Sequence, residues 1–195
     1  MSIAILIVLA LGILGGMYMP MEIAAFLDEA SSFMLLILLF SVGIDLGLNR
    51  QVFSQVRQLG FRILLIPLGV ILGSLCGGAI AALITQMHFK EGMAITAGLG
   101  WYSLSGIILT NAGNPVGGTI SFLSNVFREM LTFILIPFLV KYLNSYSAIA
   151  PAGATAMDTT LGMISKHTDG KTAVIAFMSG ITCTLLVPVL IQFFL

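Results

Sequence analysis

Apolar runs separated by short polar clusters set the rhythm of this chain. The first run, Ile3 to Met17, stops at Pro20 and is followed by a short acidic piece holding Glu22, Asp28 and Glu29. The second covers Ser31 to Leu48, and a basic loop, Asn49 to Arg62, leads into the third, Ile63 to Thr85. A fourth, Gly117 to Leu143, would be roughly 40 Å long as a helix at 1.5 Å per residue, enough to cross a bilayer with some tilt. The last, Thr172 to Leu195, is an ordinary span with Pro188 near its end. The pattern predicts about five full transmembrane helices. In the third of them Gly69, Gly73 and Gly77 recur every four residues, a stripe along which a neighbouring backbone could pack closely.

Two further segments break the rhythm. Met93 to Thr110 is apolar at both ends, with Gly98, Gly100, Ser103, Ser105 and Gly106 in its middle. Ile149 to Ser165 is short for a full crossing, rich in small and polar residues, and carries Asp158 beside Thr155, Thr159 and Thr160. Both read as broken or re-entrant helices, leaving open whether either crosses. Non-helical backbone at membrane depth survives only where protein or a watery cavity satisfies its polar groups. In secondary transporters, paired interruptions of this kind point to the binding site.

Composition agrees with a membrane environment: 58% of residues are hydrophobic and only 8% charged, against about 25% charged in soluble domains. The expectation is an all-α integral membrane protein forming one transmembrane domain over residues 1–195. A net charge of zero gives no reason to expect a nucleic-acid partner. Cys76 and Cys183 lack metal-ligand spacing and read as two buried free thiols, with no metal or cofactor implied. No basic region precedes the first run, so it reads as a retained helix. Arg50, Arg57 and Arg62 mark the cytoplasmic side, which Lys141, Lys166 and Lys171 share if Ile149–Ser165 dips in and returns.

Charge matters most where it is rarest. Arg128 and Glu129 sit near the middle of the longest apolar run, where an ionised side chain costs about 2.5–3.5 kcal/mol even on the cheaper scales. Ser121, Asn125, Glu129 and Thr132 recur at intervals of three and four, forming one polar stripe. Glu129 is expected to face a cavity along that stripe. Arg128, about 100° around the axis, needs another partner, for which Asp158 is the best candidate. The alternative is a purely structural charge network. Asp158 could cap a half-helix, contact substrate or a proton, or do both. Trp101, Tyr102, Ser103 and Ser105 are candidates to line a cavity. Asp45 is either an interfacial ion-pair partner of Arg50 or an entry carboxylate. No GxSxG elbow, Walker loop or HExxH is present, so an enzyme is not expected.

Taken together, GWYSLSGIILT (Gly100–Thr110), FREMLTFILIP (Phe127–Pro137) and PAGATAMDTTLG (Pro151–Gly162), with VGIDLG (Val42–Gly47), resemble the C-terminal part of the LysO-type lysine exporter family. The resemblance covers nearly the whole chain. It implies proton-coupled export of L-lysine, and of analogues such as thialysine, across the bacterial inner membrane. It also implies a distant likeness to cation/proton antiporter folds. Glu129 matches the family's essential C-terminal glutamate. The family's N-terminal helical portion has no counterpart here, which implies a homo-oligomer or, preferably, a separate small membrane protein completing a split transporter. A substrate with two ammonium groups and one carboxylate would suit Glu129 and Asp158 for the former. Arg128 or a broken-helix N-terminus would suit the latter. A non-transporting scaffold or regulatory subunit and a cation/proton antiporter are the competing readings.

Overall fold

The computed structural model describes residues 61–195 continuously, and positions 11–12, 14–20, 23, 26–27, 30, 33–34, 37, 40 and 44 individually. Contacts divide the chain into two units, Met1–Asp45 and Leu46–Leu195. In the first, the described positions between Leu11 and Met17 are helical and the helix ends before Pro20, as the sequence predicts. Helix resumes at the described positions from Ile23 to Ile44, reaching into the acidic piece. Asp45, Arg50 and Arg57 lie outside the described residues.

The described part of the second unit begins with a 3-10 turn, Phe61–Leu64, and continues through six α-helices. These are α1 (Leu65–Thr85), α2 (Phe89–Thr96), α3 (Tyr102–Asn111), α4 (Pro115–Tyr142), α5 (Leu161–His167) and α6 (Gly170–Phe194). Further 3-10 turns, Ser145–Ala148 and Gly153–Met157, lie between α4 and α5. Helices α1, α4 and α6 are long and apolar enough to cross a membrane. No strand occurs among the described residues. This is an all-α membrane protein.

Each of the two interrupted segments folds back on itself. Asn114 Nδ2, at the start of α4, donates to Glu91 Oε1 at 2.7 Å, so the entry of α2 and the exit of α3 lie at one end of the unit. Farther along, Ser121 Oγ donates to Ile95 O at 2.8 Å, so α2 runs parallel to α4. Meanwhile α3 runs antiparallel to it, with Gly106 against Gly118 and the Tyr102 ring edge-on to Phe122 at 5.4 Å. At about 1.5 Å per residue, the two short helices reach only some 12 and 15 Å. Together they form a hairpin whose two ends lie side by side.

The second hairpin enters from the opposite end. Ile149 and Ile164, on its two limbs, share one apolar cluster with Ile136 of late α4 and Ile175 of early α6. Its innermost stretch packs on the middle of α6, where a side chain at Gly180 would overlap Met157 N. Each hairpin is followed by a full span, α4 or α6, running in the opposite direction. The unit therefore carries an inverted arrangement of the kind that secondary transporters build around a central site.

Close backbone packing is present, but not on the predicted stripe. Among the described residues, nothing lies within 4 Å of a Cβ placed at Gly69, Gly73 or Gly77. It is Gly78 that meets α2, with Gly92 O 2.6 Å from its Cβ position and the reciprocal contact equally short. A period of four selects a face without saying which face has a partner. Cys183 is buried as expected, whereas Cys76 is exposed beside the empty stripe.

Candidate functional site

Two breaks in helical backbone meet at the centre of the unit. In the first, Leu99 and Gly100 take positive φ, 49° and 102°; in the second Gly153 does so at 60°. Ala154 donates its N–H to Leu99 O at 2.8 Å, tying the breaks together. Gly153 permits that approach, since a Cβ there would overlap Leu99 O. Gly100 N–H donates to Asn125 Oδ1 at 2.7 Å. Backbone polar groups freed by the breaks thus find protein partners, as membrane depth requires.

Helix α4 supplies those partners from one face. Ser121, Asn125, Glu129 and Thr132 are all buried, so the predicted stripe points inward. The Asn125 amide donates to Ser121 O at 2.8 Å and reaches Ser105 Oγ at 3.4 Å. Asn125 therefore works as a strut for the first break, and Ser105 belongs to that network. Ser103 is half-buried on α3, and Trp101 is half-buried at the residue preceding that helix.

Arg128 supports the second break. Its Nε donates to Pro151 O at 2.8 Å, one terminal nitrogen to Ser74 Oγ at 2.6 Å and the other to Ala150 O at 3.4 Å. The expectation that Asp158 partners Arg128 is corrected: the guanidinium is committed to backbone carbonyls and a hydroxyl of α1. A planar fork with five donors can satisfy several diverging acceptors at once, which a carboxylate pair would not require.

Glu129 lies near the midpoint of the 28-residue α4 and is 3% exposed. It lies within electrostatic reach of Asp158, and Tyr102 is influenced by both carboxyls. The buried hydroxyl of Thr159, the residue after Asp158, acts on both carboxyls through hydrogen bonding. Asp158 is exposed at the tip of the second hairpin, and its carboxylate accepts from the N–H of Thr159. It does not cap α5, whose N-cap residue is Thr160 without a side-chain cap bond. Of the two readings of Asp158, the half-helix cap is therefore not the one realised.

The structure thus gathers Glu129, Asp158 and Tyr102 at one place. Asn125, Ser105 and Arg128 stand beside them as supports of the breaks. Ser74 and Thr159 were not predicted as site residues. Ser74 carried a signal, being a lone hydroxyl in the middle of an apolar helix; Thr159 is indistinguishable in sequence from its neighbours Thr155 and Thr160. Among the described residues no cluster of His, Cys, Asp and Glu could hold a metal ion.

Comparison with known proteins adds independent information. The model of the family described as "Lysine exporter LysO" matches residues 6–195. Lysine exporter LysO of Escherichia coli (strain K12) is 39% identical over 166 residues, which are 85% of this chain and 55% of that protein. The chain thus spans little more than half the length of that relative. A Haemophilus influenzae protein named "Putative lysine exporter" is 38% identical over 169 residues, 87% of this chain and 86% of that one. No solved structure matches.

Proposed function

The chain belongs to the LysO family of lysine exporters and is a multi-pass protein of the inner membrane, and on that premise we propose that it is a secondary carrier. Its substrate is L-lysine or a related cationic amino acid such as thialysine, moved outward in exchange for protons. The observation that supports this most is Glu129: a carboxylate at mid-membrane depth, buried where two hairpins from opposite ends meet, while the nearby guanidinium is committed elsewhere. An acid in that position suits alternate binding of an ammonium group and a proton.

The proposed cycle runs as follows. Ionised Glu129 accepts the substrate's ammonium from the cytoplasmic side. Opening to the outside lets a proton take its place, lysine leaves, and the neutral carboxyl resets the carrier. Lys141, Lys166 and Lys171 lie at the end entered by the second hairpin, while Lys90 at the other end is accompanied by Glu91. The positive-inside rule then makes the second hairpin the cytoplasmic one and the first the outer one. Efflux of radiolabelled lysine from loaded cells tests the reading. Glu129→Gln should abolish efflux while the protein still reaches the membrane; full activity in that variant would rule the role out.

A further inference from the structure

We propose that the cavity at the end entered by the first hairpin is a second amino-acid site, where Glu91 takes an ammonium group and Lys90 a carboxylate. The inference rests on the carrier reading above and adds to it a station between the central site and the outside.

A cavity of about 640 Å³ lies where α2 begins, α3 ends and the last turn of α6 passes. That volume is within the range of small-molecule sites, about 300–1,000 Å³. His88, Lys90, Glu91 and Asn114 give it a polar lining. Ala94, Leu109 and Phe194 belong to its apolar wall, and the first two lie between that end and the first break. Neither Glu129 nor Asp158 lines it, so the cavity is separate from the central site.

Two features suit it to a ligand. The first is a carboxylate held in place. Asn114 is itself fixed, because its Oδ1 accepts from Gly117 N–H at 2.8 Å as the N-cap of α4. Its Nδ2 donates to Glu91 Oε1 at 2.7 Å, which orients the half-buried carboxylate without neutralising it. That bond occupies one of about four acceptor positions on the two oxygens, leaving the others for a donor from the cavity. The second feature is charge of both signs in one lining. Lys90 and Glu91 are neighbours on α2, about 100° apart around the axis, and so do not face each other. A ligand carrying opposite charges can meet both.

The lining selects the class of ligand. A diamine satisfies Glu91 but leaves Lys90 facing a like charge. An anionic lipid headgroup satisfies Lys90 but brings its phosphate against Glu91. An amino acid matches both, with its carboxylate at Lys90, an ammonium at Glu91 and its aliphatic chain along the apolar wall. Lysine leaving the central site has this form. The cavity therefore reads the carboxylate that distinguishes lysine from a diamine of the same length.

The test is ligand protection of a cysteine in the cavity. Ala112 lines it and is exposed, so Ala112→Cys is introduced into the full chain with Cys76 and Cys183 changed to serine. Maleimide modification is timed in membranes permeabilised to expose both faces. Lysine should slow modification saturably, and cadaverine, the diamine lacking the carboxylate, should need at least about tenfold more for the same effect. Glu91→Gln should raise the lysine concentration for half-protection about tenfold, a hydrogen bond to a charged group being worth about that factor. Lys90→Ala, at an exposed position, should erase the preference for lysine over cadaverine and serves if Glu91→Gln fails to fold. Glu129→Gln, which disables the central site, should leave protection intact. No modification of Ala112→Cys, no protection by lysine, or protection lost in Glu129→Gln overturns the proposal, as does protection unchanged in folded Glu91→Gln and Lys90→Ala proteins. Absence of lysine efflux by the wild type would instead overturn the carrier reading, which protection at Ala112→Cys does not measure.

Discussion

Ala154 N–H donates to Leu99 O across 2.8 Å, and this bond joins the innermost parts of two hairpins that enter from opposite ends. Gly153 is what lets the donor come so close. At φ 60° it sits in the left-handed region, and a Cβ would overlap the same carbonyl oxygen that Ala154 binds. Gly153→Ala therefore combines backbone strain with a clash against main chain that cannot swing away. Loss of more than about 2 kcal/mol is expected from the two effects together. Gly73→Ala, with nothing within 4 Å of its Cβ position, should be neutral or slightly stabilising through helix propensity. Thermal unfolding of the two variants in detergent separates these outcomes.

Arg128 gives a second prediction, because its bonds demand shape as well as charge. Lysine keeps the charge but cannot reach Pro151 O and Ser74 Oγ from one planar group. Arg128→Lys should lose stability on the scale of one or two charge-assisted hydrogen bonds, about 1.5–3 kcal/mol each. Ser74→Ala should lose less, since the guanidinium keeps its two backbone acceptors, Pro151 O and Ala150 O. If Arg128 instead contacted substrate directly, Arg128→Lys would unfold like the wild type and differ only in half-saturation for lysine.

These residues also show how far the sequence could be read. Long apolar runs give the spans within a few residues, because lipid imposes a length and a composition on each: Gly117–Leu143 was predicted and Pro115–Tyr142 is observed. The glycine-rich middle of Met93–Thr110 likewise locates a break, since Gly100 takes positive φ there, although Leu99 beside it does so without being a glycine. The burial of Ser121, Asn125, Glu129 and Thr132 was legible from helical periodicity alone. Partners were not. Opposite charge suggested Asp158 for Arg128, but a guanidinium can equally serve bare carbonyls, and those exist only once the second segment is known to unwind at Ala150 and Pro151.

Asp169 offers a test outside the membrane-spanning segments. Its carboxylate accepts from Thr172 N–H at 2.7 Å at the start of α6, and hydrogen bonding with Thr172 holds its pKa below the usual 3.8. A depressed folded-state pKa means that the charged form favours the folded state. The contribution is fully present above pH 3.8 and declines as pH falls through the lower folded-state value. Asp169→Ala should lower the unfolding temperature at neutral pH, with the difference from wild type shrinking in acid. Asp169→Asn retains a capping oxygen and should show the smaller neutral-pH loss. A deficit in Asp169→Ala that stays constant from pH 7 to pH 2 would show that the carboxylate's charge contributes nothing.

Whether the first interrupted segment crosses or returns can be decided by labelling. Single cysteines replacing Lys90 and Gly113, in a protein whose Cys76 and Cys183 are serines, bracket the hairpin formed by α2 and α3. The Glu91–Asn114 bond places both brackets at one end, so a membrane-impermeant maleimide should label both from the same side of the membrane. A segment that crossed would put them on opposite sides. By the orientation argued from the lysines, that shared side is the outer one, whereas cysteines at Lys141 and Lys166, bracketing the second hairpin, should react only after the inner face is exposed. Labelling of Lys90→Cys and Gly113→Cys from opposite sides would contradict the hairpin. Labelling of both only from inside would keep the hairpin and reverse the orientation, and with it the direction in which each hairpin opens.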